Sequence, residues 1–375
     1  MAAKKAAPSG RAPEGAATPA KARPAQARPA QARADEEPGI LHAEAALSED
    51  ERDSALRPHT LQDFVGQAAI KENLAVYIEA ARSRGDSLDH VFLTGPPGLG
   101  KTTLAQIVAR ELGVDFRQTS APVLEKPKDL AGILTNLSAR SVFFIDEIHR
   151  LKPAIEEMLY IAMEDYEMDW IVGQGPAART LRIPIQPFTL VGATTRAGSV
   201  AAPLISRFGI PFRLSLYEAA DMEAIIRRSA ALLNVRVEGD AASLLARCAR
   251  GTPRVANRLL RRMIDFAQVL GSGPVTVETA QEGLRRLEID CMGLERLDRD
   301  ILRMIIERYA GGPVGAETLA ISIGESVDTL EDYYEPYLIQ AGFLQRSPRG
   351  RMVTDLAYRH LNLERSRAAA EGLFG

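Results

Sequence analysis

Apolar positions change their period several times along the chain, and the changes divide it. Between residues 67 and 83 they fall at Ile70, Leu74, Tyr77, Ile78 and Ala81, the spacing of one helical face. His90-Val91-Phe92-Leu93-Thr94 then reads as a short buried strand, and a second helical stripe follows at Leu104, Ile107 and Val108. Val142-Phe143-Phe144-Ile145 is wholly apolar, and Thr189–Thr195 (TLVGATT) is a third strand candidate that ends in hydroxyls. Short apolar runs alternating with helical stripes predict a parallel sheet flanked by helices, with polar residues at the strands' carboxyl ends. Between the second and third runs, residues 169–187 alternate apolar and polar positions around Gly173-Gln174-Gly175-Pro176, the pattern of an inserted β-hairpin.

From about residue 218 the pattern is helical, over 219–233, 240–250, 254–270 and 277–287, which predicts a small all-α unit. Beyond Gly293, two or three helices lead to Gly342-Phe343-Leu344, a basic turn at 346–351, and Met352-Val353-Thr354. Helices followed by strand, turn and strand predict a winged helix. The divisions expected are a tail at 1–45, an α/β domain at 46–217, an all-α domain at 218–290, a winged helix at 291–365 and a short tail at 366–375.

Composition narrows this picture. The chain has 375 residues, enough for two or three domains. Lys and Arg total 46 against 49 Asp and Glu, a net charge of −3, so contact with nucleic acid has to come from a local basic patch. Residues 1–45 are mostly Ala, Pro, Arg, Lys and Gln, lack large apolar side chains, and are expected to be a disordered leader. The two cysteines, Cys248 and Cys291, are far apart, and no metal-ligand spacing surrounds the five His, which suits a reducing, cytoplasmic setting. No apolar run approaches the ~18 residues of a membrane span, and the N-terminus lacks the apolar core of a secretory signal.

Gly95-Pro96-Pro97-Gly98-Leu99-Gly100-Lys101-Thr102 matches G-x-x-x-x-G-K-[ST] between a strand and a helix. Gly98 and Gly100 let backbone N–H groups converge on phosphate oxygens, helped by the dipole of the following helix. Lys101 is placed to reach the β- and γ-phosphates of ATP, and the Thr102 hydroxyl to ligate Mg²⁺. Asp146, at the end of the second apolar run, can hold Mg²⁺ or its water shell, and Glu147 can polarise an attacking water. Thr194 and Thr195 end the third strand, where hydroxyls can sense a γ-phosphate. Arg207, in a loop after that strand, stands where ring-forming ATPases place an arginine finger. Arg254 in Gly251-Thr252-Pro253-Arg254 opens a helix and is a candidate nucleotide sensor. Arg346, Arg349 and Arg351 surround a Pro-Gly turn, an arrangement expected to present three guanidinium groups together to DNA phosphates.

In this order the motifs resemble those of the AAA+ ATPases, and among them the RuvB family of bacterial Holliday-junction branch-migration motors. The resemblance covers residues 48 to 362. It rests on Leu56-Arg57-Pro58, Gly95–Thr103 (GPPGLGKTT), Phe144–Leu151 (FIDEIHRL), Gly173–Arg179 (GQGPAAR), Phe188–Gly198 (FTLVGATTRAG), Gly251–Asn257 (GTPRVAN) and Pro348–Arg351. It implies an α/β AAA+ P-loop domain, a helical lid and a C-terminal winged helix, using ATP and Mg²⁺. By resemblance, Leu56, Arg57 and Tyr217 lie by the nucleotide, and Glu164-Asp165-Tyr166 also border it. Lys101, Thr102 and Thr103 handle phosphates and metal, Arg207 acts on the next subunit's nucleotide, and Arg254 is the second sensor. Leu181 and Ile183, near the hairpin's apolar tip, are implied to dock a RuvA-like junction-binding partner, while Arg346 and Arg351 contact the DNA backbone. A homohexameric ring on double-stranded DNA and Holliday junctions, with a RuvC-like resolvase in the same complex, is implied as well. A clamp-loader type of AAA+ switch is the alternative, and it should lack the GPAAR hairpin and the winged helix. The chain departs from the family pattern in its leader, in Ala121 for a glycine, and in Leu204-Ile205-Ser206 before Arg207, which puts the packing around Arg207 in question.

Overall fold

A computed structural model describes residues 55–172, 179–270 and 273–364. The tails expected at 1–45 and 366–375, and the hairpin turn at Gly173–Pro176, lie outside the described residues.

Strands β1 (Val91–Thr94), β2 (Phe116–Ser120), β3 (Val142–Asp146), β6 (Thr189–Thr194) and β7 (Ile210–Arg213) form one parallel sheet in the order β2-β3-β6-β1-β7. Successive side chains of a strand point to opposite faces. Val91, Leu93, Val142, Phe144, Val191 and Ala193 accordingly enter one core, and Phe92, Phe143, Ile145 and Leu190 enter the other. Both faces are covered, as a parallel sheet requires. Helices α1 (Ala68–Arg84) and α2 (Lys101–Leu112) pack on the first face, and each ends at a glycine in the left-handed region, Gly85 and Gly113. Helices α3 (Pro127–Leu134) and α4 (Pro153–Glu164) cover the second face, and α5 (Ala202–Ile205) precedes β7.

Two sheet strands, β2 and β7, were not among those the pattern predicts. β2 (FRQTS) is a half-exposed edge without an apolar run, and β7 (IPFR) is short and carries a proline. The hairpin pairs β4 (Glu167–Val172) with β5 (Arg179–Pro184), so it begins before the expected Asp169. Its register corrects one expectation. Ile183 lies opposite the buried Met168 at the root and packs on the sheet's second core, not near the tip. Leu181, opposite Trp170, lies farther out and is 52% exposed.

The lid helices are α6 (Ala219–Leu232), α7 (Gly239–Cys248), α8 (Pro253–Leu270) and α9 (Val277–Arg286). Their apolar faces merge with the first sheet core into one cluster. The winged helix has its own core. It comprises α10 (Arg296–Tyr309), α11 (Ala316–Ile323), α12 (Val327–Thr329), a π-helical turn (Leu330–Tyr334), α13 (Glu335–Gln340), the β8–β9 ribbon (Leu344–Ser347, Gly350–Val353) and α14 (Asp355–His360). Arg250 joins lid to winged helix: its guanidinium pairs with the fully buried Asp298, donates to the Gly293 carbonyl at 2.7 Å, and lies over the Tyr337 ring.

Gly192 shows how tightly β6 is enclosed. A Cβ there would stand 2.7 Å from Ile148 Cδ1 and 2.9 Å from the Phe208 ring, so even a methyl group has no room. Gly192→Ala is expected to lower stability by about 1–3 kcal/mol, the usual cost of overpacking. Denaturant unfolding monitored by circular dichroism measures this, and an unchanged midpoint would contradict the packing described.

Candidate active site

The parallel sheet brings the predicted groups to one edge. β6 lies between β1 and β3, so the glycine loop after β1, the carboxylates after β3 and the threonines ending β6 are neighbours. Gly95 N–H donates to the Thr194 carbonyl at 3.3 Å, which fixes the start of the loop to the end of β6. The first backbone bond of α2 runs from Leu104 N–H to the Gly100 carbonyl. The preceding N–H groups of the helix start therefore face the cleft without an intrahelical acceptor, as every helix N-terminus requires. They form the donor set that an anion needs. Gly98 adopts φ +79, and a Cβ on it would meet Thr252 Cγ2 at 2.7 Å, so loop and lid touch at a residue that has to be glycine.

The cleft beyond this loop is lined by Leu56, Arg57, Gly98, Gly100, Lys101, Thr102, Thr103, Asp146, Glu147, Thr195, Tyr217 and Arg254. The structure thus brings together twelve residues singled out in the sequence, from six separate segments. Lys101 Nζ donates to the Gly95 and Pro96 carbonyls at 2.8 and 2.9 Å, folding back over the loop it would leave for a phosphate. Burial pushes the Lys101 ammonium down to about 8, against the opposing pull of Asp146 and Glu147. One Asp146 oxygen accepts the Glu147 N–H at 2.9 Å, which orients the carboxylate beside Thr102 in the same cleft. A hard hydroxyl and a carboxylate next to an anion-binding loop fit Mg²⁺ carried in with a nucleotide.

Other wall residues were not singled out as site candidates, although Asn257 ends the GTPRVAN motif. Ile225, Arg228 and Ser229 of α6, and Asn257 of α8, close the cleft from the lid. Arg228 donates to the Leu56 carbonyl at 2.9 Å, and Ser229 donates to Asn257 at 2.8 Å. Asn257 is three residues from Arg254, so helical spacing puts both on one face. For Arg228 and Ser229 the stripe of α6 offered no such signal.

Glu164, Asp165, Tyr166 and Arg207 do not line this chain's cleft. For the run 164–166 this departs from the expected place beside the nucleotide, and the cause is the position of α4. His90 holds that helix end: its Nδ1 accepts from Leu190 N–H at 2.9 Å, which leaves Nε2–H to donate to the Met163 carbonyl at 3.1 Å. Glu164 follows at once and pairs with Arg207 at 3.2 Å. The Arg207 guanidinium also donates to the Pro203 carbonyl at 2.7 Å and lies 4.6 Å over the Tyr160 ring. At the departure, Ile205 packs against the second sheet core and the Ser206 hydroxyl donates to the Pro203 carbonyl at 2.9 Å, the same acceptor that Arg207 uses.

In the wing, Arg346 and Arg351 stand opposite each other on β8 and β9. Both donate to the fully buried Glu335, through Nε at 2.6 and 2.7 Å, and Glu331 completes the cluster. A buried carboxylate needs such compensation. The three guanidinium groups are therefore not presented together. Arg349 is exposed at the turn and makes no ion pair among the described residues.

Comparison with known proteins matches this architecture in three consecutive pieces. A family model described as the Holliday junction DNA helicase RuvB P-loop domain matches residues 56–214, the RuvB AAA lid domain 217–290, and the RuvB C-terminal winged helix domain 291–362. The chain belongs to the RuvB family. The "Holliday junction branch migration complex subunit RuvB" of Treponema denticola is 70% identical over 327 residues, spanning 87% of this chain and 95% of that protein. The Paramagnetospirillum magneticum protein of the same name is 59% identical over 309 residues, 82% of this chain and 89% of its own. A solved structure, the Thermotoga maritima RuvB Holliday junction branch migration motor, matches with a TM-score of 0.77 at 50% identity, covering 83% of this chain and 99% of that one. The RuvB P-loop, lid and winged-helix domains are thus the three units described above, and the chain is a P-loop ATPase.

The lowered Lys101 value gives a pH test of the RuvB P-loop. Polyphosphate favours the charged ammonium, so a free protein whose Lys101 loses its proton near pH 8 must take one up on binding. ATP affinity is expected to fall as pH rises through about 8, with proton uptake seen by titration calorimetry in two buffers of different ionisation enthalpy. Equal heats in both buffers at pH 8.5 would argue against it.

Proposed function

We propose that this chain is the ATP-driven subunit of a DNA motor that powers branch migration of Holliday junctions in recombination and repair. It works as a homohexameric ring on double-stranded DNA with a RuvA-like partner, in the cytoplasm, and beside a RuvC-like resolvase. The observation that carries the ring is that Arg207 lies outside the chain's own nucleotide cleft, paired with Glu164. A neighbouring copy can then receive Arg207, with the 164–166 run beside it, at the phosphates held by its own loop. The names of the relatives support the junction, and the chain carries both features that the loader alternative should lack: the hairpin and the winged helix.

Each residue then has a chemical task. The loop N–H groups and Lys101 bind the β- and γ-phosphates and offset their charge. Thr102 and Asp146 would hold Mg²⁺, which supplies Lewis-acid neutralisation of the phosphate oxygens. Glu147 orients and polarises the attacking water. Thr195 meets the γ-phosphate, and Arg254 carries the same contact into the lid, so that hydrolysis changes the lid's hold on the loop. Arg207 stabilises the transition-state charge from the next subunit. Leu181, exposed on the hairpin, offers the apolar contact for the RuvA-like partner, with Ile183 bracing it from the root.

Mixing two disabled chains tests the shared site. Arg207→Ala is expected to bind ATP and lose about 10³–10⁵ in turnover, while Lys101→Ala loses nucleotide. Mixed rings should regain part of the activity, because a Lys101→Ala chain still offers its finger to an Arg207→Ala pocket. Inactive mixtures that nevertheless co-assemble would rule out action in trans.

The wing gives a second test. Arg349→Ala should weaken binding to DNA of any sequence and reduce the salt slope by about 1, with the fold intact. Arg351→Ala should instead destabilise the winged helix by about 3–5 kcal/mol, because Glu335 loses a buried partner. Salt-titrated DNA binding and thermal denaturation of both variants separate the two roles, and a stable Arg351→Ala protein would overturn the assignment.

A further inference from the structure

Glu147 stands in the left-handed region, with φ 52, directly after β3. One of its carboxylate oxygens lies 3.5 Å from His149 Nε2, and His149 Nδ1 lies 2.9 Å from the Thr194 hydroxyl. Thr194 is fully buried, and its oxygen accepts the Arg196 N–H at 2.9 Å. Among the described residues, the hydroxyl's own proton then has one acceptor within reach, His149 Nδ1. A ring nitrogen that accepts carries no proton, so the imidazole proton resides on Nε2 and faces Glu147. Desolvation lowers the His149 value and outweighs Glu147 and Asp332, while Arg196 and Arg150 lower it further, so the ring is neutral near pH 7. The far end is also fixed. The Arg196 guanidinium binds Asp332 of the winged helix at 2.9 and 3.0 Å and Asp328 at 2.8 Å.

We propose that His149 is a positioning residue for hydrolysis: its Nε2–H holds one oxygen of Glu147 and leaves the other for the attacking water, while Thr194 selects the tautomer that makes this possible. The inference rests on the reading of Glu147 as the group that polarises water. The 3.5 Å separation is long for a hydrogen bond, as catalytic contacts often are before substrate is bound, and a small rotation of the carboxylate closes it. Neither His149 nor Thr194 is among the residues that line the nucleotide cleft, so both act through Glu147 and not on the phosphates.

The two amide replacements of histidine separate this role from a structural one. A glutamine at 149 can place an N–H near the Nε2 position, whereas an asparagine reaches only the Nδ1 position. With the full chain on duplex DNA, His149→Ala and His149→Asn should lower kcat by at least roughly tenfold, with KM for ATP and affinity for ADP changed less than about twofold. His149→Gln should recover most of kcat. Thr194→Val should follow His149→Asn, and Thr194→Ser should behave as the parent. Equal losses in the Gln and Asn variants, or losses that track nucleotide affinity or melting temperature, would overturn the proposal. Glu147→Gln run in parallel distinguishes the two levels. If it still turns over ATP, the Glu147 reading fails. If it is inactive while His149→Ala keeps the parent kcat, only the positioning role fails.

Discussion

The groups around the nucleotide cleft are referred to β6, the strand held between β1 and β3. A strand in that place cannot shift, because backbone bonds fix it on both sides and Gly192 leaves no slack between Ile148 and Phe208. Its last residues therefore serve as a fixed reference for groups from distant parts of the chain. The Thr194 carbonyl takes the start of the phosphate loop, its hydroxyl takes His149, Thr195 enters the cleft, and Arg196 takes the winged helix. A parallel sheet makes this possible because all its strands end on the same edge.

Charge is managed differently at the two ends of the chain. Around the cleft, cationic groups converge on a space that a polyanion fills, and Lys101 turns onto backbone carbonyls meanwhile. In the winged helix the arginines facing each other across the ribbon are satisfied internally by Glu335 and Glu331. The first arrangement is made to exchange partners; the second fixes a shape. Arg250 with Asp298 repeats the second strategy where the lid meets the winged helix. Buried ion pairs with full hydrogen bonding give these joints direction as well as strength.

The sequence made legible whatever depends on local chemistry. The glycine loop, the acid pair after VFFI and the hydroxyls after TLVGA each sit on a strand whose burial is plain from its composition, and the cleft holds all of them. Three things were hidden because they depend on register or on distant packing. β2 and β7 carry no strong pattern, being an exposed edge and a short run with a proline. Ile183 looked like a tip residue until pairing with Met168 put it at the root. The wing arginines read as a free basic cluster because Glu335, eleven residues before Arg346, gives no sign in sequence of where its carboxylate points. Alternation and motif spacing report on what a residue is next to in the chain, and ion pairs between elements lie beyond that range.

The β4–β5 ribbon has one further consequence. Among the described residues its two strands pair only with each other, which leaves the outer edges of the ribbon outside any larger sheet. One face carries Arg182 between Glu167 and Asp169, at 3.6 and 3.5 Å, while the other continues from the core to the exposed Leu181. A foreign strand adding to either edge would have to desolvate those charges, whereas an apolar side chain from a docking partner need only cover Leu181. The ribbon can thus stay adhesive on one face without templating aggregation along its sides.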